Sequence, residues 1–359
     1  MLRDPGYIVR GTPPSPPRAL ILAPEPHMIP PRFDVLGIGN AIVDVIARTD
    51  DEFLHKQGMP KGGMQLIDQA RAAAIYDAMG PAVEVSGGSA ANTVVGVASL
   101  GARAAFIGKV RDDELGRVFA HDIRAAGVAY ETAPASDGPS TGRCYVLVTP
   151  DGERTMNTFL GAAQDLHPAD IDPDTIAAAR IIYLEGYLWD PPRAKEAFIK
   201  AAKIAHDADR VVALTLSDAF CVDRYRAEFL DLIRTGTVDL IFANERELYS
   251  LYRTEDFDAA IKALRGDVRL GVVTRSERGC LVVSREETEA VHAEPVPRLV
   301  DATGAGDLFA AGFLVGISRG SDLRDAGRLG ALAAAEVIQH LGARPETSLK
   351  ALAEGNGLL

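Results

Sequence analysis

The chain has 359 residues, long for one domain and short for three, and its 47% hydrophobic and 25% charged content is that of an ordinary packed globular protein. Its 38 Lys and Arg against 50 Asp and Glu give a net charge of −12, and no basic run is interleaved with aromatics, which excludes the electrostatic footprint of a nucleic-acid binder. No apolar run reaches the roughly eighteen residues of a membrane span, and Cys144, Cys221, Cys280 and seven scattered histidines lack pairing or ligand spacing, so a reducing cytoplasm without disulfide or zinc chemistry is expected.

Residues 1–30 carry Pro13, Pro14, Pro16, Pro17, Pro24, Pro26 and Pro30 and read as a disordered extension. Phe33 to Gly39 is a buried-strand signal ending in glycine. Apolar runs at Ala104–Ile107, Ile181–Leu184, Val211–Leu216, Leu240–Phe242 and Leu270–Val273 repeat it. Between them lie amphipathic stretches at Leu115–Ala126, Ala194–Ala208, Arg224–Thr235 and Phe257–Leu264. Strand and helix in alternation predict a mostly parallel sheet covered on both faces. Residues 46–66 and 129–165 break the alternation, and Pro150-Asp-Gly152 joins Cys144–Val148 to Glu153–Asn157 as a hairpin. Those two segments are expected to form a small β lid on a large α/β domain made of residues 31–45, 67–128 and 166–359.

The richest local signal is Val300-Asp-Ala-Thr-Gly-Ala-Gly-Asp307, followed by a run of small and apolar residues that reads as a buried helix. Gly304, Ala305 and Gly306 let backbone amides converge at a helix start, where unpaired N–H groups and the positive dipole end bind anions. A carboxylate just inside such a nest, Asp307, would repel phosphate unless it served to accept a proton from an attacking hydroxyl. A glycine-rich helix start with a capping acid has the same pattern.

Three further clusters accompany it. Gly87-Gly88-Ser-Ala-Ala-Asn92 is a tight turn running into a small-residue helix, either a ligand-approach turn or close helix packing. Asn40 and Asp44 follow the first strand at the sheet edge where open α/β sheets bind ligands, spaced to grip neighbouring hydroxyls or to cap a helix. Asn244-Glu-Arg-Glu247 fits an ordinary N-cap with an acid three residues on, and equally an acid placed to order Mg²⁺ and its waters. Other mechanisms fail on inspection. Gly101–Lys109 has the wrong spacing for a Walker A loop, with Val110 where Ser or Thr should stand, and Ile42 replaces the third glycine of a dinucleotide fingerprint.

GGSAAN, N-x-x-E and DATGAGD, in this order across roughly residues 33–345, together resemble the ribokinase-like (PfkB) carbohydrate kinase superfamily, and within it the adenosine kinases most. The resemblance implies a three-layer α/β/α sandwich with a β lid, and Mg-ATP as phosphoryl donor to a CH₂OH oxygen of adenosine or a sugar. It implies Asp307 as catalytic base, an anion hole at Gly304 to Gly306, and Asn244 with Glu247 organising Mg²⁺ and phosphate. Thr274 and Gly279 are similar to a nucleotide-binding turn, Gly342 and Ala343 to an adenine-side loop, and Asp301 to part of a monovalent-cation (K⁺) site. Asn40, Asp44, Gly88 and Asn92 resemble a ribose-holding set, and Arg154 a lid arginine that approaches phosphate. Ile42, Met64, Leu66 and Phe159 are the candidate lining for a base. The alternatives are a sugar kinase acting on ribose or fructose and a non-catalytic nucleotide or sugar sensor, in each case a monomer or homodimer.

Overall fold

The computed structural model describes residues 31–359, so the proline-rich opening lies outside the described residues. Their strands are β1 (Phe33–Ile38), β2 (Ile42–Arg48), β3 (Met64–Leu66), β4 (Ala82–Gly87), β5 (Ala104–Ile107), β6 (Val128–Tyr130), β7 (Gly142–Val148), β8 (Arg154–Phe159), β9 (Ala179–Glu185), β10 (Val211–Thr215), β11 (Leu240–Asn244), β12 (Leu270–Thr274), β13 (Cys280–Ser284) and β14 (Thr288–Val291). Nine of them make one sheet in the order β14-β13-β12-β11-β10-β9-β1-β5-β6. Every pairing from β6 across to β12 is parallel, and β13 and β14 close the edge antiparallel.

The two-residue period of the strands divides the core. Val35, Ile181 and Tyr183 point into one apolar cluster, and Leu36, Ile38, Ile182 and Leu184 into the other. The first cluster is closed by helices Ser89–Ser99, Glu114–Ala125, Ala305–Ser318 and Leu323–Val337. The second is closed by Pro192–Asp207, Ala219–Arg234, Glu245–Tyr252 and Phe257–Asp267. This is the expected α/β/α sandwich. Helix Ala305–Ser318 is buried without a break from Leu308 to Ser318, as an all-apolar helix must be. At about 1.5–3 kcal/mol for each large apolar side chain taken out of water, Leu308, Phe313 and Leu314 anchor the helix start that the site depends on.

The remaining five strands form a second sheet, β3-β8-β7-β2-β4. It is larger than the lid expected from sequence. The chain leaves β1 and enters β2 already at Ile42, and β4, which was expected in the large domain, pairs antiparallel with β2. Helices Asp51–Lys56 and Gln69–Ala78 lie between these strands, while β6, expected in the lid, belongs to the large sheet. β2 with β7 and β3 with β8 are parallel, so the sheet is mixed rather than antiparallel. Ala82-Val-Glu-Val, mostly exposed on an edge and interrupted by Glu84, has no continuous apolar run to mark it as a strand.

Candidate active site

The carboxyl edge of the large sheet and one face of the small sheet enclose a cleft of about 900 Å³. Helix Ala305–Ser318 opens onto it. Its N-cap is Gly304 in the left-handed region (φ +78°), where a Cβ would stand 2.7 Å from Ala343, so neither the angle nor the space admits a side chain. No side chain caps this helix; the Ala305 N–H donates to the Ala302 carbonyl at 3.3 Å, and the Gly306 and Asp307 N–H groups are left to a ligand. Asp307 is the third residue of the helix. Its Oδ1 accepts from Ser89 Oγ at 2.6 Å and its Oδ2 from Asn92 Nδ2 at 3.2 Å. Burial pushes its carboxyl up to about 6, against the opposing hydrogen bonds of Ser89 and Asn92. A carboxyl in that range is ionised at neutral pH yet basic enough to take a proton.

A second helix start faces it. Gly88, also left-handed (φ +102°), begins helix Ser89–Ser99, and a Cβ there would strike the Asn40 carbonyl oxygen at 2.2 Å. This helix too has no N-cap side chain, though Glu185 takes its Ala90 N–H, and both glycine-led helix starts line the cleft with Asp307. On the floor, Asn40 Nδ2 donates to Glu185 Oε1 at 2.6 Å and the Ala90 N–H to Glu185 Oε2 at 2.9 Å, while Asn40 Oδ1 is buried without a partner. An orphaned acceptor in a cleft is satisfied by a ligand hydroxyl. Burial raises Asp44 to about 6 and Glu185 to about 7. Beside these polar groups Ile42, Met64, Leu66 and Phe220 turn into the cleft, and the last three are exposed large apolar side chains.

At the other end of the cleft Asn244 caps helix Glu245–Tyr252. Asn244 Oδ1 accepts from the Glu247 N–H at 3.0 Å and the Asn244 N–H donates to Glu247 Oε2 at 3.0 Å, a complete capping box. Glu247 is buried, lifted to about 7 by burial, and lines the cleft with Asn244 and Thr274. Among the described residues no group of three or more His, Cys, Asp or Glu is gathered for a metal. One buried carboxylate and an amide lining the same cleft as the open anion nest suit Mg²⁺, which takes few protein ligands and completes its shell with water and phosphate.

The model of the pfkB family carbohydrate kinases matches residues 77–350, which take in both glycine-led helix starts, the Asn244–Glu247 box and Asp307. The chain belongs to the pfkB carbohydrate kinase family. It is a phosphotransferase with an alcohol group as acceptor. The solved adenosine kinase of Sinorhizobium meliloti is 55% identical with a TM-score of 0.86, covering 90% of this chain and 99% of that one. A probable sugar kinase from Rhizobium etli CFN 42 is 53% identical with a TM-score of 0.87, over 92% and 100%. Of curated relatives, the adenosine kinase of Saccharomyces cerevisiae is 28% identical over 328 residues, 85% of this chain and 94% of its own length. A probable chloroplastic fructokinase of Arabidopsis thaliana is 32% identical over 237 residues, 64% of this chain, which spans 61% of that relative.

The kinase fold brings Asn40, Ile42, Asp44, Met64, Leu66, Gly88, Asn92, Asn244, Glu247, Thr274, Gly304, Ala305, Gly306 and Asp307 to one cleft. Others stand apart from it. Gly87 ends β4 opposite Ile42. Phe159 follows cleft-lining Thr158 and so points to the other face of β8, where the Arg143 guanidinium covers its ring at 5.7 Å. Arg154 does not enter the cleft. Its Nη2 is 2.6 Å from Asp301 Oδ2, with both side chains over nine-tenths buried, because a buried guanidinium needs a counter-charge. Asp301 is accordingly occupied: Oδ1 accepts from the Thr303 N–H at 3.0 Å, and Oδ2 from the Gly342 N–H at 2.9 Å in addition to facing Arg154. Ala343 is packed under Gly304, and Gly279 (φ +81°) turns β12 into β13 away from the cleft lining. Ser89, Glu185 and Phe220 were not singled out in the sequence. Ser89 stood inside GGSAAN, and Glu185 directly follows the apolar run Ile181–Leu184 at the ligand-binding edge, a readable signal; Phe220 gave none.

Proposed function

We propose that this kinase transfers the γ-phosphoryl group of ATP, with Mg²⁺, to the 5′-hydroxymethyl oxygen of adenosine or a closely related nucleoside. The observation that carries this reading is the apolar wall of Ile42, Met64, Leu66 and Phe220 beside the hydroxyl-binding floor. A free sugar offers nothing to such a wall, whereas a purine buries both faces against it. The names of the Sinorhizobium meliloti and Saccharomyces cerevisiae relatives point the same way.

In this reading the Asp44 and Asn40 side chains grip the ribose hydroxyls, with Asn40 Oδ1 receiving the proton donor it lacks. The Asp307 carboxylate takes the proton of the attacking hydroxyl, and the uncapped N–H groups behind Gly304 stabilise charge on the transferring group. Glu247 with Asn244 would hold Mg²⁺, which would supply positive charge against the phosphates. Incubated with Mg-ATP and adenosine, the protein is expected to form AMP and ADP in equal amounts. ADP without AMP, or no turnover of any nucleoside, contradicts the reading.

A second reading keeps the chemistry and makes the acceptor a free sugar. Glu185, a buried carboxylate at the floor, favours it by adding an acceptor for sugar hydroxyls, as do the names of the Rhizobium etli and Arabidopsis thaliana relatives.

A further inference from the structure

Arg344 lies outside the cleft lining, and two of its three guanidinium nitrogens are engaged. Nε donates to Asn92 Oδ1 at 2.9 Å, and Nη2 donates to the Ser86 carbonyl at 2.6 Å and to Ser86 Oγ at 2.9 Å. With Oδ1 so held, the Asn92 amide can only present Nδ2 to Asp307, and it does so at 3.2 Å. A half-turn of the amide would set Oδ1 against the carboxylate and Nδ2 against the guanidinium, exchanging two attractive contacts for two repulsive ones. Arg344 therefore decides which end of Asn92 faces Asp307.

The same guanidinium reaches the small sheet. Ser86 sits one residue from the end of β4, where the chain returns to the large domain, and its N–H and Oγ donate to Asp122 Oδ2 at 2.8 and 2.5 Å. Two residues before Arg344, the Gly342 N–H is bonded to Asp301, and Ala343 packs under Gly304, so the arginine is rooted in the loop that backs the anion nest.

We propose that Arg344 is a positioning residue: it orients Asn92, and through it the Asp307 carboxylate, and ties the return strand of the small sheet to the back of the anion nest. This rests on Asp307 acting as the base. The groups that face Asp307 are Ser89 and Asn92 of helix Ser89–Ser99, Asp44 of β2, Tyr183 and Glu185 of β9, Tyr187 beyond it, and Arg344. Of these Arg344 carries the positive charge, shared with Asp44 and Asp122, and its field favours the ionised form of Asp307.

The test is a kinetic set on the full chain with Mg-ATP and its best acceptor: Arg344→Met, Arg344→Lys, Asn92→Ala, the double variant Arg344→Met/Asn92→Ala, and Asp307→Asn in parallel. Arg344→Met is expected to lower kcat about 10–100-fold and to move the acidic limb of kcat/KM upward. The double variant is expected to be no worse than the poorer single by more than about 3-fold, because both act through one chain of contacts. Arg344→Lys keeps the charge without the fork. It is expected to lose rate while keeping the wild-type acidic limb, and it carries the test should the Met variant not fold. Wild-type kcat and an unmoved limb in Arg344→Met, multiplicative losses in the double variant, or an Arg344→Lys enzyme with undiminished kcat would each overturn the proposal. An active Asp307→Asn enzyme would instead remove the base reading itself, and the proposal with it.

Discussion

Nine helices of the described chain close their first turn with a side chain of their own, among them Asp68, Asp113, Asp218, Asn244, Asp256, Asp322 and Ser348. Of the helix starts that line the cleft, Asp218 and Asn244 cap theirs, but Gly88 and Gly304 supply no side-chain oxygen and stand at positive φ. A capped helix end is satisfied within itself and contributes about 1 kcal/mol to stability. An uncapped one leaves N–H donors for an anion, at a cost the buried body of the helix offsets. The Asn244 end combines both, since Glu247 completes the cap while lining the cleft, and binding there must draw on a carboxylate already in use.

Changes at the two kinds of helix end should separate cleanly. Asp307→Asn is expected to have the largest effect, a fall in kcat of about two to four powers of ten with acceptor and ATP binding little changed. In the wild type the base works as the carboxylate, so kcat/KM should fall as pH drops through about 6, and that limb should vanish in the variant. The stability linkage runs the other way. Burial raises Asp307 above its unfolded value, so its contribution to folding is greatest at low pH and is lost as pH rises through about 6, which chemical denaturation at pH 5 and 7.5 would show as a difference from Asp307→Asn.

Gly304→Ala comes next. A Cβ at φ +78° and 2.7 Å from Ala343 must displace the nest, and steady-state kinetics should show about a hundredfold loss in kcat. Phe220→Ala should raise KM for adenosine about 10–50-fold and leave any turnover of ribose unchanged, with little effect on thermal unfolding because the ring is 62% exposed. Asp256→Ala, at a self-satisfied helix end outside the cleft lining, should lower unfolding free energy by about 1 kcal/mol and leave kcat untouched. A catalytic defect in that variant would break the distinction between the two kinds of helix end.

The large sheet was legible because parallel strands buried on both faces are continuous apolar runs, and Phe33–Ile38 or Val211–Thr215 can be read almost to the residue. The small sheet was not, since β4 is half exposed and β3 is only three residues, and neither carries a period that a window can detect. Site residues defined by backbone need, the glycines and Asp307, were visible as a motif. The Arg154–Asp301 pair could not be read, and Phe220 and Arg344 were missed, because only the closed fold brings positions so far apart in the chain together.

The central claim is that the apolar wall selects a nucleoside, and it is tested most directly by kcat/KM for adenosine against ribose and fructose under one set of Mg-ATP conditions. A preference for adenosine of about a hundredfold or more, some 2.7 kcal/mol of transition-state discrimination, is the predicted result. Equal or greater efficiency with either free sugar would contradict it.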